Sequence, residues 1–329
     1  MTCSYPLKGY RGMGGKLVLS KQASLTGFKM TVPCGSCKKC RIQHSVDWAI
    51  RCTNEMQMHE SNSFITLTYN PESLPLNANL NKKHLKDFKK RLRDIIAPTK
   101  IRTFDCGEYG SNDPKNETHV QTYMTSKLGR PHYHLIIFGY NFPDKEKHSI
   151  KKSNQYYMSD QLNKAWGKGD CIIGDANFQT AAYISRYITK KINGQLASAH
   201  YERLNEKTGE VSTLQPEYTT MSNRPGIGLD WLKTYINDVF PSDELITLTT
   251  EGKSKSFRVP RYYTDYLEKV NPNLHTIVKA ERKSKAAIQQ KQKQKLDLMA
   301  EYNRAVSIET CAQQYLTTML TRDYEMGKT

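Results

Sequence analysis

The strongest structural signal in the sequence is the stretch Gly129-Arg130-Pro131-His132-Tyr133-His134-Leu135-Ile136-Ile137-Phe138-Gly139. Its apolar and β-branched residues predict a buried strand over 132–140. Because side chains alternate between the two faces of a strand, His132 and His134 are expected on one face and Tyr133 on the other. Two imidazoles placed in this way form half of a metal site. The alternative is that they occur on a sheet by chance and are satisfied by backbone hydrogen bonds.

A third candidate ligand, Glu108, lies upstream in Cys106-Gly107-Glu108-Tyr109-Gly110. Residues 101–109 are predicted to form a strand, followed by a long polar loop over 111–130. A carboxylate on a strand beside the histidines would complete a site for Mg²⁺ or Mn²⁺. The glycines on either side would let a backbone or a ligand approach closely, although the same sequence fits a glycine-bounded turn.

Downstream, the apolar spacing over 180–192 predicts a helix. Its aliphatic stripe and its tyrosines are expected on nearly opposite sides, so that the tyrosines lie off the core face; the stripe consists of Ala181, Ile184, Ile188 and Ile192. Tyr183 and Tyr187 are four residues apart, so both hydroxyls can reach one place. A phenol with a pKa of about 10 needs its charge stabilised to act as a nucleophile. The candidate cations are Lys190, Lys191 and Arg186, and ordinary packing of the rings is the alternative.

The composition favours a polyanionic partner. The 329 residues include 49 Lys and Arg against 32 Asp and Glu, a formal charge of +17, and clustered cations gain affinity by releasing counterions from phosphates. Nucleic acid is the first expectation and a membrane surface the second. No apolar run approaches the roughly 18 residues of a membrane span, and Met1 to Met30 lacks the apolar segment of a secretory signal. A cytosolic protein is therefore expected.

A helix predicted over 81–96 combines a narrow apolar stripe with a basic surface. The stripe contains Leu85, Phe88, Leu92 and Ile95. Candidate DNA contacts on the remaining surface and near the two motifs are Lys83, Lys86, Lys90, Arg93, Arg130 and Arg186. A solvated charged surface is the alternative.

Eight cysteines are too sparse for a disulfide scaffold. Three of them form Cys34-x₂-Cys37-x₂-Cys40, a spacing that suits structural Zn²⁺ in a reducing compartment. Cys3 or His44 is expected to supply the fourth ligand. An iron-sulfur cluster and simple packing of reduced thiols are the competing interpretations.

In combination, these motifs resemble the HUH endonucleases, which carry a His-hydrophobe-His strand and a helix with catalytic tyrosine. Phe64 to Tyr69 resembles the family's first strand motif, Arg130 to Phe138 its metal strand and Tyr183 to Lys191 its two-tyrosine helix. With Pro33-Cys34-Gly35 added, the sequence more closely resembles the replication initiators of gokushovirus-type Microviridae phages. The resemblance covers about residues 1–230.

The resemblance implies an α+β fold with a central antiparallel sheet of about five strands and flanking helices. Three regions are expected: an N-terminal segment (1–60) with a zinc site, an HUH nickase domain (61–230) and a C-terminal accessory region (231–329). The last region is expected to be mostly helical, with a basic helix over 279–295.

The activity implied is a nick in single-stranded or melted origin DNA, with the 5′ phosphate held on tyrosine and later rejoined during rolling-circle replication of a small single-stranded DNA phage. Tyr183 and Tyr187 take the nucleophilic roles without an assigned order, with Lys190 and Lys191 beside them, and Mg²⁺ or Mn²⁺ is held by His132, His134 and Glu108. The resemblance also makes a host helicase and polymerase candidate partners, in the cytoplasm of the bacterial host.

Two other functions fit part of the sequence. A non-enzymatic, zinc-containing nucleic-acid-binding protein would use the basic helix 81–96 and the tail 279–295 for binding, with both residue pairs structural. An iron-sulfur oxidoreductase would use the cysteines instead, and would absorb visible light.

Overall fold

A computed structural model describes residues 3–24, 26–111, 128–151, 154–190, 196–205, 207–248, 254–294, 306–307 and 309–310, with only the backbone described at 188–190 and a few similar positions. The chain divides into two compact units, Met1–Asp47 and Trp48–Thr329. Among the described residues, no helix combines the length and the apolar character needed to cross a membrane.

The N-terminal unit contains a three-stranded antiparallel sheet and the start of a helix. Its strands are β1 (Leu7–Arg11), β2 (Leu17–Val18) and β3 (Lys29–Val32), and β1 lies in the centre. Helix α1 (Lys38–Met56) begins in this unit and ends in the second.

The second unit begins with the elements that surround the two motifs. These are β4 (Asn62–Leu67), α2 (Lys82–Ile95), β5 (Arg102–Ser111), β6 (Leu128–Phe138), β7 (Glu146–Lys151), β8 (Asn154–Met158), α3 (Asp160–Trp166), β9 (Cys171–Asp175) and α4 (Phe178–Lys190). The remaining elements are α5 (Leu196–Tyr201), β10 (Glu202–Leu204), β11 (Val211–Thr213), β12 (Tyr218–Met221), α6 (Leu229–Val239), β13 (Glu244–Leu248), β14 (Ser254–Arg258), α7 (Arg261–Val270) and α8 (Pro272–Gln294).

A seven-stranded antiparallel sheet organises this unit, in the order β12-β5-β6-β4-β9-β8-β7. The predicted α+β class is confirmed. The sheet has seven strands rather than about five because the hairpin of β7 and β8 extends it beyond β9. The predicted helical C-terminal region is confirmed by α7 and α8, and α8 contains 279–294 of the predicted basic helix.

Helices cover both faces of the sheet. On β6, Tyr133, Leu135 and Ile137 face a core shared with α2 and α3, which includes Leu85, Phe88, Leu92, Leu162, Ala165 and Trp166. Ile136 and Phe138 face the opposite core, shared with α4 and the second part of α1, which includes Ala49, Cys52, Met56, Ala181 and Ile184. This alternation places His132 and His134 on the α4 side of the sheet.

Two predicted boundaries were wrong. Strand β6 begins at Leu128, so the end of the predicted polar loop belongs to the strand, while residues 112–127 of that loop lie outside the described part of the chain. On α2, Ile95 is 43% exposed and its neighbour Ile96 is buried instead. The reason is that the helix ends at Ile95, and Ile96 is the non-helical cap residue that turns back to the core.

The start of α2 is fixed by a side-chain cap. The Asn81 side-chain oxygen accepts hydrogen bonds from the backbone N–H groups of Lys83 and His84 at 3.0 and 3.2 Å. These donors have no partner within the helix, so the cap stabilises its first turn.

We expect Asn81→Ala to lower the free energy of unfolding by about 1 kcal/mol, because it leaves these N–H groups without their acceptor. Urea denaturation followed by circular dichroism measures this change. Asn81→Asp keeps an acceptor oxygen and serves as the matched control. Equal stability of the alanine and aspartate variants would contradict the capping role.

Candidate active site

The sheet register brings the candidate metal ligands together. Strands β5 and β6 pair so that Glu108 lies directly opposite His132 and Cys106 directly opposite His134. Directly paired residues share a face of a sheet, so Glu108 and both histidines project toward α4. The predicted strand pair and the shared face of the two histidines are confirmed.

One carboxylate oxygen contacts both imidazoles. Glu108 Oε1 lies 2.9 Å from His132 Nε2 and 2.8 Å from His134 Nε2. Glu108 is 2% exposed and His134 is 1% exposed, and the three ligand atoms all lie within 4.8 Å of one another. The structure therefore places the three predicted ligands in one buried cluster that a single cation could join.

The hydrogen-bonding partners of His132 indicate where its proton lies. His132 Nδ1 is 3.2 Å from the backbone oxygen of Arg130, and a carbonyl oxygen can only accept a hydrogen bond. Nδ1 therefore carries the proton, and Nε2 of the neutral ring presents a lone pair to the carboxylate. Two lone pairs face each other at 2.9 Å. A proton or a metal cation must lie between them.

The sequence analysis did not identify Thr66 as a site residue. It lies on β4 directly opposite His134, and its hydroxyl is 2.7 Å from His134 Nδ1. Thr66 is 4% exposed. A hydrogen bond from Nδ1–H to this hydroxyl leaves His134 Nε2 free for a cation, as outer partners of metal-binding histidines commonly do. The alternation of apolar and hydroxyl residues in 64–69 signals a half-buried strand, but it does not give the pairing that puts Thr66 beside His134.

The tyrosines lie beside this cluster but are not off the core face as predicted. Tyr183 and Tyr187 are 3% and 2% exposed, and they share a core with Ala181 and Ile184. The prediction was wrong because α4 packs between the sheet and other parts of the unit, so the aliphatic stripe and the side opposite are both buried.

The Tyr183 hydroxyl is the closer of the two to the predicted ligands. It lies 3.4 Å from both Glu108 Oε1 and His134 Nε2. The Tyr187 ring stacks on His134 with centroids 5.9 Å apart, and its hydroxyl hydrogen-bonds with Tyr183 and Arg186.

Burial and the Glu108 charge both raise the pKa of Tyr183 and of Tyr187 well above the usual value for a phenol. The guanidinium of Arg186 opposes this shift, and its carbon lies 5.6 and 5.5 Å from the centroids of the two rings. The predicted cation beside the tyrosines is therefore Arg186 among the described side chains. The Lys190 side chain and all of Lys191 lie outside the described residues.

The space at Gly107 is used for packing. A Cβ at this position would lie 2.9 to 3.1 Å from the side chains of Tyr218, Leu80 and Tyr133. The expectation that this glycine admits a ligand was wrong, because it faces the opposite side of the sheet from Glu108 and is covered there by side chains.

Helix α2 divides its cations between structure and surface. Lys89 donates a hydrogen bond to the buried Asp105 carboxylate at 2.6 Å, and Arg91 donates to the carbonyls of Ala165 and Trp166. The predicted DNA contacts Lys83, Lys86, Lys90 and Arg93 are exposed, and Lys83 is ion-paired with Asp87 at 2.6 Å. Outside this helix, Arg130 donates to the Tyr69 carbonyl at 2.7 Å.

A second cluster lies in the N-terminal unit. The sulfur atoms of Cys3, Cys34, Cys37 and Cys40 all lie within 4.8 Å of one another. Of the two predicted fourth ligands, the structure brings Cys3 and not His44 to the other three cysteines. The cluster is compatible with a metal ion.

Comparison with known proteins agrees with the geometry. A family model for replication-associated proteins of the ORF2 type matches residues 62–192, the part of the chain that holds β4 to β6 and α4. No solved structure is similar at a significant level.

Three phage proteins are similar over most of the chain. The replication-associated protein ORF2 of Spiroplasma virus 4 is 30% identical over 248 residues, which is 73% of this chain and 68% of the relative. The replication-associated protein VP4 of Bdellovibrio phage phiMH2K is 28% identical, over 92% of this chain and 89% of the relative. The replication-associated protein ORF4 of Chlamydia phage 1 is 28% identical, over 74% of this chain and 55% of the relative. The resemblance to the initiators of Microviridae phages is confirmed at the level of the family, and the chain belongs to the replication-associated proteins of these small phages.

Proposed function

We propose that this replication-associated protein is a metal-dependent nickase and strand transferase that initiates rolling-circle replication at a single-stranded or melted phage origin. The observation that carries the proposal is the contact of one buried tyrosine hydroxyl, that of Tyr183, with a carboxylate and an imidazole of a three-ligand cluster. The family supplies the connection to replication.

The residues present fit a divalent cation. Octahedral Mg²⁺ with ligands at about 2.1 Å requires neighbouring donor atoms about 3 Å apart. The observed separations of Glu108 Oε1 from the two imidazole nitrogens are 2.9 and 2.8 Å. Imidazole nitrogen also suits transition metals, so the mixed donor set accommodates Mn²⁺ as well as Mg²⁺.

Bound at these three ligands, the cation would polarise the scissile phosphate and stabilise its developing charge. It would also offset the Glu108 charge, the second of the two causes that raise the pKa of Tyr183. Arg186 supplies further positive charge to both rings. These effects lower the cost of ionising a phenol that is otherwise neutral at pH 7.

The reaction transfers one phosphoryl link at a time. The oxygen of Tyr183 or Tyr187 forms a bond to phosphorus while the bond to the 3′ oxygen breaks, and that oxygen takes a proton to become a free 3′ hydroxyl. The phosphotyrosine bond conserves the energy of the broken link, so a later 3′ hydroxyl can attack it and release the tyrosine. Two neighbouring tyrosines allow two such transfers, as the nicking and rejoining of each round require.

Access to the hydroxyls requires a local change. Tyr183 and Tyr187 are 3% and 2% exposed, so a phosphodiester contacts them only after this side of the sheet opens. The exposed cations of α2 are proposed to hold the DNA backbone, together with Arg130 near the start of β6. Host helicase and polymerase would then extend the free 3′ end in the cytoplasm of the infected cell.

A non-enzymatic nucleic-acid-binding protein would give no role to a buried carboxylate between two imidazoles. Burial of such a group is costly unless it is paired with a cation or hydrogen-bonded. The geometry of the cluster therefore favours the enzyme.

We expect the double variant Tyr183→Phe, Tyr187→Phe to form no covalent adduct with an origin oligonucleotide in the presence of Mn²⁺. Tyr183→Phe alone should lose more of the adduct than Tyr187→Phe, because Tyr183 contacts Glu108 and His134. Denaturing gel electrophoresis and mass spectrometry of the linked peptide measure the adduct. An adduct at full yield from the double variant would refute the tyrosine assignment.

Replacement of Glu108 by Gln should weaken Mn²⁺ binding by more than about 100-fold, because a ligand with full negative charge is lost and ligand losses exceed outer-partner losses. Titration of the full chain followed by electron paramagnetic resonance of free Mn²⁺ gives the affinity. Glu60→Gln removes an exposed carboxylate and is the matched control. Unchanged binding in Glu108→Gln would exclude this cluster as the Mn²⁺ site.

Thr66→Val should weaken Mn²⁺ binding by about 10- to 100-fold, because His134 Nδ1 loses the partner that fixes its orientation. Thr66→Ser retains the hydroxyl and should restore most of the affinity. The same titration and the rate of nicking report both variants. A valine variant that binds and nicks like the parent would contradict the positioning role of Thr66.

A further inference from the structure

The N-terminal unit has almost no hydrophobic core. Among its described residues, Ile42 is the one apolar side chain counted as buried, and none of the residues in β1, β2 or β3 is buried. Leu7, Met13, Leu19 and Phe28 are 47% to 79% exposed. A small sheet without an apolar face is not stable alone. Units of this size usually need a disulfide or a metal ion.

Four cysteines lie where such a link would act. Cys3 precedes β1, Cys34 follows β3, and Cys37 and Cys40 lie just before and within the first turn of α1. All four are free thiols in the structure. An ion bound to them would join both ends of the strand pair β1 and β3 to the start of the helix.

The sulfur positions fit a single tetrahedral ion. Cys3 Sγ lies 3.5 Å from Cys34 Sγ and 3.8 Å from Cys37 Sγ. Zinc bound to sulfur at about 2.3 Å in a tetrahedron requires sulfur atoms about 3.8 Å apart. An iron-sulfur cluster places several metal atoms between its thiolates and holds them further apart, so one Zn²⁺ fits this spacing better.

Backbone groups also favour thiolates at this place. The N–H of Cys34 donates to Cys3 Sγ, and the N–H of Cys37 donates to Cys34 Sγ, each at 3.3 Å. Hydrogen bonds to a charged acceptor are stronger than those to a neutral one. The loop after β3 therefore provides donors that stabilise sulfur in the form that binds zinc.

The surface of this unit is strongly basic. Residues 1–47 contain eight Lys and Arg and one Asp, a net charge of +7. Six of these cations are exposed: Lys8, Arg11, Lys16, Lys21, Lys29 and Lys38. The unit thus carries a large share of the chain's +17 in a small part of its length.

Aromatic rings accompany these charges. Tyr10 pairs directly with Lys29, and Lys8 pairs with Thr31, so one face of the small sheet presents Lys8, Tyr10 and Lys29. Tyr5 and Phe28 are 75% and 70% exposed. Cations that follow the phosphates and rings on which bases stack are the features of surfaces that bind single strands.

We propose that Cys3, Cys34, Cys37 and Cys40 bind one Zn²⁺, which folds the N-terminal unit into a basic module for binding single-stranded DNA. The module adds affinity for DNA without regard to sequence, because it contacts phosphates and stacked bases. It is separate from the nicking cluster, and its binding requires no Mg²⁺ or Mn²⁺.

The first experiment measures zinc in the purified full chain by elemental analysis. The parent and His44→Ala should each contain one zinc per chain, whereas Cys34→Ser and Cys37→Ser should contain little. Cobalt exchanged into the parent should give the intense visible bands of a tetrahedral thiolate site. A parent chain that neither contains zinc nor yields this cobalt spectrum would overturn the proposal, as would loss of zinc in His44→Ala.

The second experiment measures the affinity for an oligonucleotide without an origin sequence, with no Mg²⁺ or Mn²⁺ added, over a range of salt. Replacement of Lys8 and Lys29 by Gln should flatten the slope of log affinity against log salt by about 1.4, since each single-strand phosphate contact contributes about 0.7. Cys34→Ser should weaken binding as well.

The matched control replaces two exposed cations of α7, Arg261 and Lys269, by Gln, which should leave the slope nearly unchanged. Equal slopes for the two double variants would overturn the DNA-binding part of the proposal. Because neither assay depends on nicking, a failure of the tyrosine mechanism would not alter these results.

Discussion

The contact of one buried carboxylate oxygen with two imidazoles is the interaction on which the rest of the structure depends. Glu108 and His134 are almost completely buried, and an ionised carboxylate is costly in such a place unless a cation compensates it. The pairing of β5 with β6 creates this contact. A shift of one residue in that pairing would move Glu108 to the opposite face of the sheet. The sheet register and the chemistry of the site are therefore one constraint.

Helix α4 satisfies a second requirement, since the reacting hydroxyls must be close to the cluster and must also be chemically restrained. Its tyrosines pack on His134 and on each other, and their burial raises the pKa of both phenols. In the closed arrangement the tyrosines are therefore poor nucleophiles. Ionisation becomes favourable only when positive charge offsets Glu108, which couples reactivity to the presence of the cation and of DNA.

The sequence predicted the elements of this site better than their environment. Alternation along β6 correctly placed His132 and His134 on one face, and the adjacent strand with Glu108 followed from local pattern. Periodicity alone could not show that α4 is covered on both sides, so the tyrosines were wrongly expected off the core face. The role of Thr66 depends on which strand lies beside β6, and a single sequence does not give strand order, a limit that also explains the two extra strands of the sheet. In the N-terminal unit, the spacing of three cysteines predicted a cluster, and tertiary structure selected Cys3 as the fourth member.

The most direct test of the central claim is anomalous diffraction from Mn²⁺ in crystals of the full chain. The account predicts one strong manganese peak within coordination distance of Glu108, His132 and His134, with a tyrosine hydroxyl of α4 beside it. A manganese peak elsewhere, with this cluster still joined by hydrogen bonds alone, would contradict it.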